Sequence, residues 1–180
     1  FTQISVEGSN TYLAGPSSLG IIFDPKSGDV TGPFDMGIDN ARGAHGMTFI
    51  PSLEGTNSGQ VLIFGGMRRL RMDTKRAFPF VLGNDKTDVL NDVVLFDVDT
   101  LTFTDLSDVS DEKMTAKRAF PQGALMSDGT LIITGGGGWP EESSPAYKQV
   151  EVFDPLKEGG PGFLSISSFE GEVARAGHTM

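Results

Sequence analysis

The sequence has 180 residues with 38% apolar content, 24 glycines and 10 prolines, a composition that allows a packed core but disfavours long helices. Its net charge of −10 repels phosphate backbones, so we expect no nucleic-acid binding, and no apolar run is long enough for membrane insertion. The lack of cysteine excludes disulfides, thiolate metal ligands and cysteine nucleophiles from these residues. Neither end carries a polar tail, and we therefore expect the natural protein to continue beyond them.

The first forty residues contain three short runs that are typical of β-strands. The run TYLAG ends at Gly15, the run GIIFDP carries Phe23 and Asp24, and Val30 begins a third run. Aromatic and β-branched residues bounded by turn residues favour strands. This pattern predicts a first, partial unit over residues 1–40.

The same order recurs twice downstream with stronger signals. Each later unit has a strand-like run, a second run that ends in a glycine pair, a third run that ends in Phe-Asp, and a fourth run. The middle unit is predicted over 41–114 with a long inserted loop at 67–88, and the next unit over 115–171. Residues 172–180 are predicted to begin a further unit. The repeated residues are Gly65, Gly66, Phe96 and Asp97 in the first of these units, and Gly135, Gly136, Phe153 and Asp154 in the second.

The units also begin alike. The stretches ARGAHGM and ARAGHTM share an Ala-Arg-x-x-His-x-Met pattern, and the stretch KRAFPQG places an arginine in the same register. The residues concerned are Arg42 and His45, Arg118, and Arg175 and His178. Self-similarity at a period of about 50 residues, lengthened here by insertions, is typical of propeller repeats.

The order of these motifs resembles the kelch repeat: Arg-x-x-His, then an apolar strand that runs into Gly-Gly, then an aromatic-Asp turn. The resemblance covers nearly all of the chain and implies an all-β fold, a kelch-like β-propeller segment of about three four-stranded antiparallel blades in an incomplete ring. The remaining blades would then come from flanking sequence or from another chain. Phe103, Phe163 and Val30 then occupy the region in which kelch repeats carry a tryptophan. The glycine pairs would allow close backbone approach, the phenylalanines would pack between blades, and the aspartates would bind turn amides.

Two kinds of role remain open for the residues at the start of each unit. Equivalent positions in separate units favour a structural role for His45 and His178 over metal binding. Arg42, Arg118 and Arg175 either line the propeller axis as anion-binding groups or form structural salt bridges. No catalytic residue, metal site or cofactor is predicted within the segment.

The sequence leaves two functions open. The first is a non-catalytic scaffold that binds a protein partner or self-assembles through its extended loops. The second follows from kelch propellers that form the core of copper-radical oxidases similar to galactose and glyoxal oxidase. That chemistry needs a cysteine cross-linked to tyrosine, so the catalytic residues would lie outside this segment. The oxidase resemblance and the acidic composition favour an extracellular location.

Two loops supply the candidate partner-binding residues. The inserted loop has a positive net charge, whereas the remaining chain is negative. Arginines in this loop would suit an acidic partner or a neighbouring copy. The loop GGGGWPEESSPAY exposes aromatic candidates of the kind enriched in interfaces. The alternatives are that the first loop pairs with its own propeller and that the tryptophan packs on its own blade. The candidates are Arg68, Arg69, Arg71, Lys75, Arg76, Phe78 and Phe80, and in the second loop Trp139 and Tyr147.

Overall fold

The computed structural model describes residues 2–5, 11–52, 58–68, 70–73, 80–81, 89–137, 147–164 and 169–175. Residues 2–5, 11–15, 38, 70–73, 80–81, 147 and 169–175 are described by their backbone alone. Nearly all regular structure is β, and no helix within these ranges is long and apolar enough to cross a membrane. The predicted all-β class is confirmed.

Fifteen short strands and two single-turn helices make up the described fold. The strands are β1 (Thr2–Ser5), β2 (Thr11–Gly15), β3 (Leu19–Phe23), β4 (Val30–Asp35), β5 (Gly46–Ile50), β6 (Gln60–Phe64), β7 (Leu70–Asp73), β8 (Phe80–Val81), β9 (Val93–Asp97), β10 (Thr102–Asp105), β11 (Gln122–Leu125), β12 (Leu131–Thr134), β13 (Tyr147–Asp154), β14 (Gly162–Phe163) and β15 (Phe169–Arg175). A 3-10 helix spans Ile38–Asn40, and α1 spans Leu106–Val109. Glycines and turn aspartates end the strands, as the composition predicts.

Two antiparallel meanders form the ordered part of the fold. The middle sheet has the strand order β5-β6-β9-β10, and the last sheet has the order β11-β12-β13-β14, with β15 also paired to β13. Strand β5 of the middle sheet lies beside strand β11 of the last sheet. The Thr48 hydroxyl of β5 donates a hydrogen bond to the Gly123 carbonyl of β11 at 3.2 Å. Consecutive antiparallel sheets, each built on a path of four neighbouring strands, are the building units of a propeller.

The strands of the first forty residues lie in two other sheets. β2 pairs with β7 from the inserted loop, in a sheet of order β1-β2-β7-β8, whereas β3 and β4 form a separate hairpin. Among the described strands, β3 therefore has β4 as its sole partner, unlike β9 and β13, which are paired on both edges. The predicted unit boundaries near 40, 115 and 172 stay predictions.

The strand register aligns the repeats as the sequence does. Phe96 of β9 lies opposite Phe103 of β10, and Phe153 of β13 lies opposite Phe163 of β14. Phe23 of β3 lies opposite Val30 of β4 in the same way. The first two pairs are in ring contact, with centroids 4.7 Å and 5.4 Å apart.

The main hydrophobic core lies between the middle and last sheets. Val93 and Leu95 of β9 share one apolar cluster with Leu131, Ile133 and Phe153 of the last sheet. The other buried members are Ile50, Leu62, Phe64, Leu106 and Met114. Side chains alternate between the two faces of a strand, so every second residue points toward the neighbouring sheet. When two sheets stack, the facing side chains of both sheets are buried together.

Candidate functional site

The last sheet contains a fully buried arginine at its start. The Arg118 side chain is 0% exposed, and its Nε and Nη2 lie 3.0 Å and 2.9 Å from Glu151 Oε1. Its Nη1 donates to the Gly135 carbonyl at 2.6 Å. The other carboxylate oxygen of Glu151 accepts from the Thr115 backbone N–H at 2.6 Å. One ion pair therefore joins the start of this sheet, its glycine pair and its third strand.

The middle sheet repeats this arrangement with Arg42. Its buried guanidinium donates from Nη1 to Asp92 Oδ1 at 2.9 Å and to the Gly65 carbonyl at 3.3 Å. Burial lowers the pKa of Arg42 below its ordinary value, while the negative charge of Asp92 raises it. The guanidinium nevertheless stays protonated, because arginine is not deprotonated in proteins. The two buried cations bind carboxylates and glycine carbonyls of their own sheets instead of facing an open channel.

The first glycine pair lets the middle sheet approach the start of the last sheet closely, and Gly136 allows a similar approach within the last sheet. Gly65 and Gly66 have φ angles of +62° and +99°, and the Gly66 N–H donates to the Arg118 carbonyl at 2.7 Å. A Cβ atom on Gly65 would lie 2.5 Å from that same carbonyl oxygen, and one on Gly136 would lie 2.8 Å from the Ala119 oxygen. Gly65, Gly66 and Gly136 therefore occupy positions where any side chain would displace backbone.

His45 lies beside this junction. Its backbone would touch any side chain added at Gly66. Burial lowers the pKa of His45 below its ordinary value of 6.5, and the charge of Arg42 lowers it further. The imidazole is therefore neutral at pH 7. Within the described residues, no group of three or more His, Cys, Asp or Glu side chains is placed to hold a metal ion.

The aspartates of the three Phe-Asp pairs bind backbone amides of the turns that follow. Asp24 accepts from the Lys26 N–H, Asp97 from the Thr100 N–H and Asp154 from the Leu156 N–H, each at 2.8 Å. The hydrogen bonds from Lys26 and Thr100 lower the pKa values of Asp24 and Asp97, respectively. These carboxylates are occupied by turn contacts, as turn aspartates commonly are.

The candidate partner-binding residues lie mostly outside the described side chains. Arg68 is described, with its side chain 46% exposed and its Nη2 3.7 Å from Asp92 Oδ2. Arg71 and Phe80 are placed by backbone in β7 and β8, and Tyr147 and Arg175 are placed opposite each other in β13 and β15. The remaining candidates lie outside the described residues: Arg69, Lys75, Arg76, Phe78 and Trp139. His178, predicted to have a structural role, also lies outside them. Partner binding by these residues stays a prediction.

Sequence reasoning missed the acidic partners of the arginines and one further contact between sheets. Glu112 follows α1, which comes after β10 of the middle sheet. It accepts from Lys157 Nζ, in the turn between β13 and β14, at 2.5 Å and from the Phe163 N–H of β14 at 2.8 Å. Burial raises the pKa of Glu112, but the bonds from Lys157 and Phe163 outweigh it and lower the pKa below 4.5. No local pattern marks these residues, because their partners are distant in sequence.

Replacing Glu112 with glutamine should make stability less dependent on pH. A lowered carboxylate pKa stabilises the fold above about pH 4.5, and this contribution is lost as the pH falls through the folded pKa. We expect Glu112→Gln to cost about 1–2 kcal/mol at pH 7 and almost nothing at the acid end. Urea denaturation at several pH values measures the loss of stability at pH 7 and at acid pH. The exposed Glu158→Gln is the matched control, and equal losses in the two variants at pH 7 would contradict the prediction.

Successive antiparallel meanders stacked on a shared core define a β-propeller-like fold. No protein-family model matches the sequence, and no curated protein matches it. Among solved structures, the chain is similar to a novel fungal alcohol oxidase with catalytic diversity among the AA5 family, in complex with copper. The identity is 18% and the TM-score 0.53, over 90% of this chain and 30% of that one. The likeness supports the predicted propeller fold, whereas membership in the kelch family stays a prediction.

Proposed function

We propose that this segment is a structural part of the propeller of a copper-radical-oxidase-like enzyme. The observation that carries the proposal is the likeness in fold to a copper-containing fungal alcohol oxidase along 90% of the chain. The repeat pattern, which resembles the blades of that class of oxidase, supports it independently. The chain spans about 30% of the length of that oxidase, so the proposal assigns to it a part of the enzyme and not the whole activity.

The described residues do not fit a copper centre. Copper sites in proteins use several imidazole, sulfur or oxygen ligands held close together. This chain has two histidines and no cysteine. Of the two histidines, the structure describes His45, and no group of metal-binding side chains surrounds it within the described residues. The metal ligands and the reacting groups of the proposed enzyme would therefore come from residues outside the described part.

The contribution of these residues is mechanical support. Arg42 and Arg118 hold the glycine turns of consecutive sheets, and Glu112 joins the middle sheet to the last sheet. Buried ion pairs with several hydrogen bonds resist displacement because separating them leaves a buried charge without a partner. A rigid set of sheets suits a site whose ligands must be held within about 0.5 Å of their working positions.

Metal analysis and an oxidase assay on the full-length protein test the proposal. Loaded with copper, the protein should bind the metal stoichiometrically and convert a primary alcohol and oxygen to aldehyde and hydrogen peroxide. Zinc-loaded protein is the control, since zinc has no redox chemistry. Copper-loaded protein that produces no peroxide from a panel of alcohols and aldehydes would overturn the oxidase proposal.

The protein-binding or self-assembly role predicted from the loops stays a prediction. Arg68 is the one member of the basic set whose side chain the structure describes, and it is already close to Asp92. That contact favours the alternative in which the loop pairs with its own propeller. Replacing Arg68, Arg69 and Arg71 with serine would leave self-association at low salt unchanged under that alternative.

A further inference from the structure

A cleft lies between the middle sheet and the turn that joins β13 to β14 of the last sheet. Its volume of about 350 Å³ is near the lower end of the range for small-molecule sites, about 300–1,000 Å³. The cleft borders Asp97, at the end of β9, whereas Asp92 and the buried arginine junction lie at the start of that strand. It is therefore separate from the groups that hold the glycine turns.

The apolar part of the lining is aliphatic. Leu95 of β9 and Leu106 of α1 are buried members of the main core that also border the cleft. Val109 of α1 borders it as well and is 67% exposed, and Pro161 contributes from the turn before β14. An exposed valine beside buried leucines gives the cleft an apolar surface that the described sheets leave uncovered.

The polar part of the lining is rich in hydrogen-bond acceptors. The bonds that Asp97 accepts from two turn amides and the Thr100 hydroxyl all reach Oδ1, so they leave Oδ2 for another donor. The Thr100 bonds and a further bond from the Gln60 side chain lower the pKa of Asp97, which is therefore ionised at pH 7. The Ser110 hydroxyl donates to the Leu106 carbonyl at 2.9 Å, so its oxygen can only accept from a ligand.

These acceptors select the charge and the polar groups of a ligand. The described residues of the lining include no basic side chain, so a phosphate or carboxylate would lie near Asp97 without a cation to pair with it. An ammonium group would meet one carboxylate, whose charge is already shared with turn amides. Hydroxyl groups can donate to Asp97 and Ser110 and bring no charge into the cleft.

We propose that this cleft binds an uncharged, hydroxyl-rich ligand of the size of one sugar unit. Hydroxyl groups of the ligand donate to Asp97 Oδ2 and to Ser110, and its C–H groups pack on Val109 and Pro161. The Thr104 hydroxyl, also in the lining, can donate or accept. The inference rests on the lining of the cleft and is independent of the proposed oxidase activity.

The two walls of the cleft are fixed to each other before a ligand binds. Glu112 follows the α1 wall and accepts from Lys157 and from the Phe163 N–H, which flank the opposite wall. A site whose walls are already held in place loses less conformational entropy on binding.

Methyl NMR titration of the full-length protein tests binding at the cleft itself. The probes are D-glucose, D-galactose and myo-inositol, and at least one should shift the Val109 and Leu106 methyl resonances saturably. The Val94 methyls are the control, since Val94 is buried on the opposite face of β9 and should not respond. Hexylammonium and glucose 6-phosphate test the two charged alternatives. Shifts with a charged probe alone, or with no probe at all, would overturn the proposal.

Variants of the polar lining test which groups hold the ligand. Asp97→Asn should weaken binding about tenfold, because it removes the charged acceptor while an asparagine carbonyl can still accept the turn amides. Asp24→Asn is the matched control: Asp24 accepts a turn amide in the same way but lies outside the cleft, so binding should not change.

Thr104→Val gives a second test if Asp97→Asn fails to fold. Valine has nearly the shape of threonine but no hydroxyl, and we expect binding to weaken about threefold or more. Unchanged binding in both cleft variants, or equal losses in Asp97→Asn and Asp24→Asn, would overturn the proposal. These readouts use neither copper nor peroxide, so this proposal and the oxidase proposal can fail separately.

Discussion

Replacing Arg118 with alanine is expected to destabilise the protein by about 3–5 kcal/mol, the usual cost of removing one partner of a buried ion pair. The substitution leaves the Glu151 carboxylate, which is 9% exposed, without its guanidinium. It also leaves the Gly135 carbonyl without the hydrogen bond of 2.6 Å that it accepts from Arg118. Urea denaturation of the full-length protein, followed by far-ultraviolet circular dichroism, measures the loss.

An exposed ion pair provides the matched control for Arg118. Lys113 and Asp111 lie 2.7 Å apart, but their side chains are 44% and 88% exposed. Lys113→Ala should therefore leave the free energy of unfolding almost unchanged, because water screens an exposed pair. Arg118→Lys should destabilise the protein more than Lys113→Ala and less than Arg118→Ala. Lysine keeps the positive charge, but its ammonium group cannot reproduce the planar set of hydrogen bonds that a guanidinium makes. Equal effects of Arg118→Ala and Lys113→Ala would show that the buried pair contributes no more than a surface pair.

Replacing Gly65 with alanine should cost about 4 kcal/mol, from two separate physical causes. A φ of +62° costs an L-residue about 1–2 kcal/mol. The added Cβ would also lie 2.5 Å from the Arg118 carbonyl oxygen, which is backbone of the next sheet and cannot rotate away. Losses of about 4 kcal/mol are exceptional for one substitution and need a specific cause, which here is the clash. Thermal and urea unfolding of the full-length protein measure the change.

Gly28→Ala separates the two causes. Gly28 has a φ of +80°, but a Cβ there would meet nothing within 4 Å. Its substitution should therefore cost about 1–2 kcal/mol, the conformational part alone. The difference between the two variants measures the close approach of consecutive sheets. If Gly65→Ala were no more destabilising than Gly28→Ala, the glycine pair would serve the turn and not the contact between sheets.

The sequence by itself determined the repeated strands and the turns between them. Alternating apolar residues, glycine pairs and Phe-Asp turns act over a few neighbouring residues, so their structure follows from local chemistry. The predicted equivalence of Phe23, Phe96 and Phe153 is reproduced in the strand register, where their cross-strand partners are Val30, Phe103 and Phe163. The all-β, propeller-like fold could therefore be predicted before any contact was known.

Only the tertiary structure decided which distant groups meet. Asp92 and Glu151 pair with arginines far away in the sequence, and β2 pairs with β7 across the intervening strands. The exposure of Phe23, in contrast to its buried equivalents, depends on which sheet lies against it and not on its own neighbours. Long-range strand pairing and buried charges are selected by packing and desolvation over the whole fold, and no local pattern encodes them.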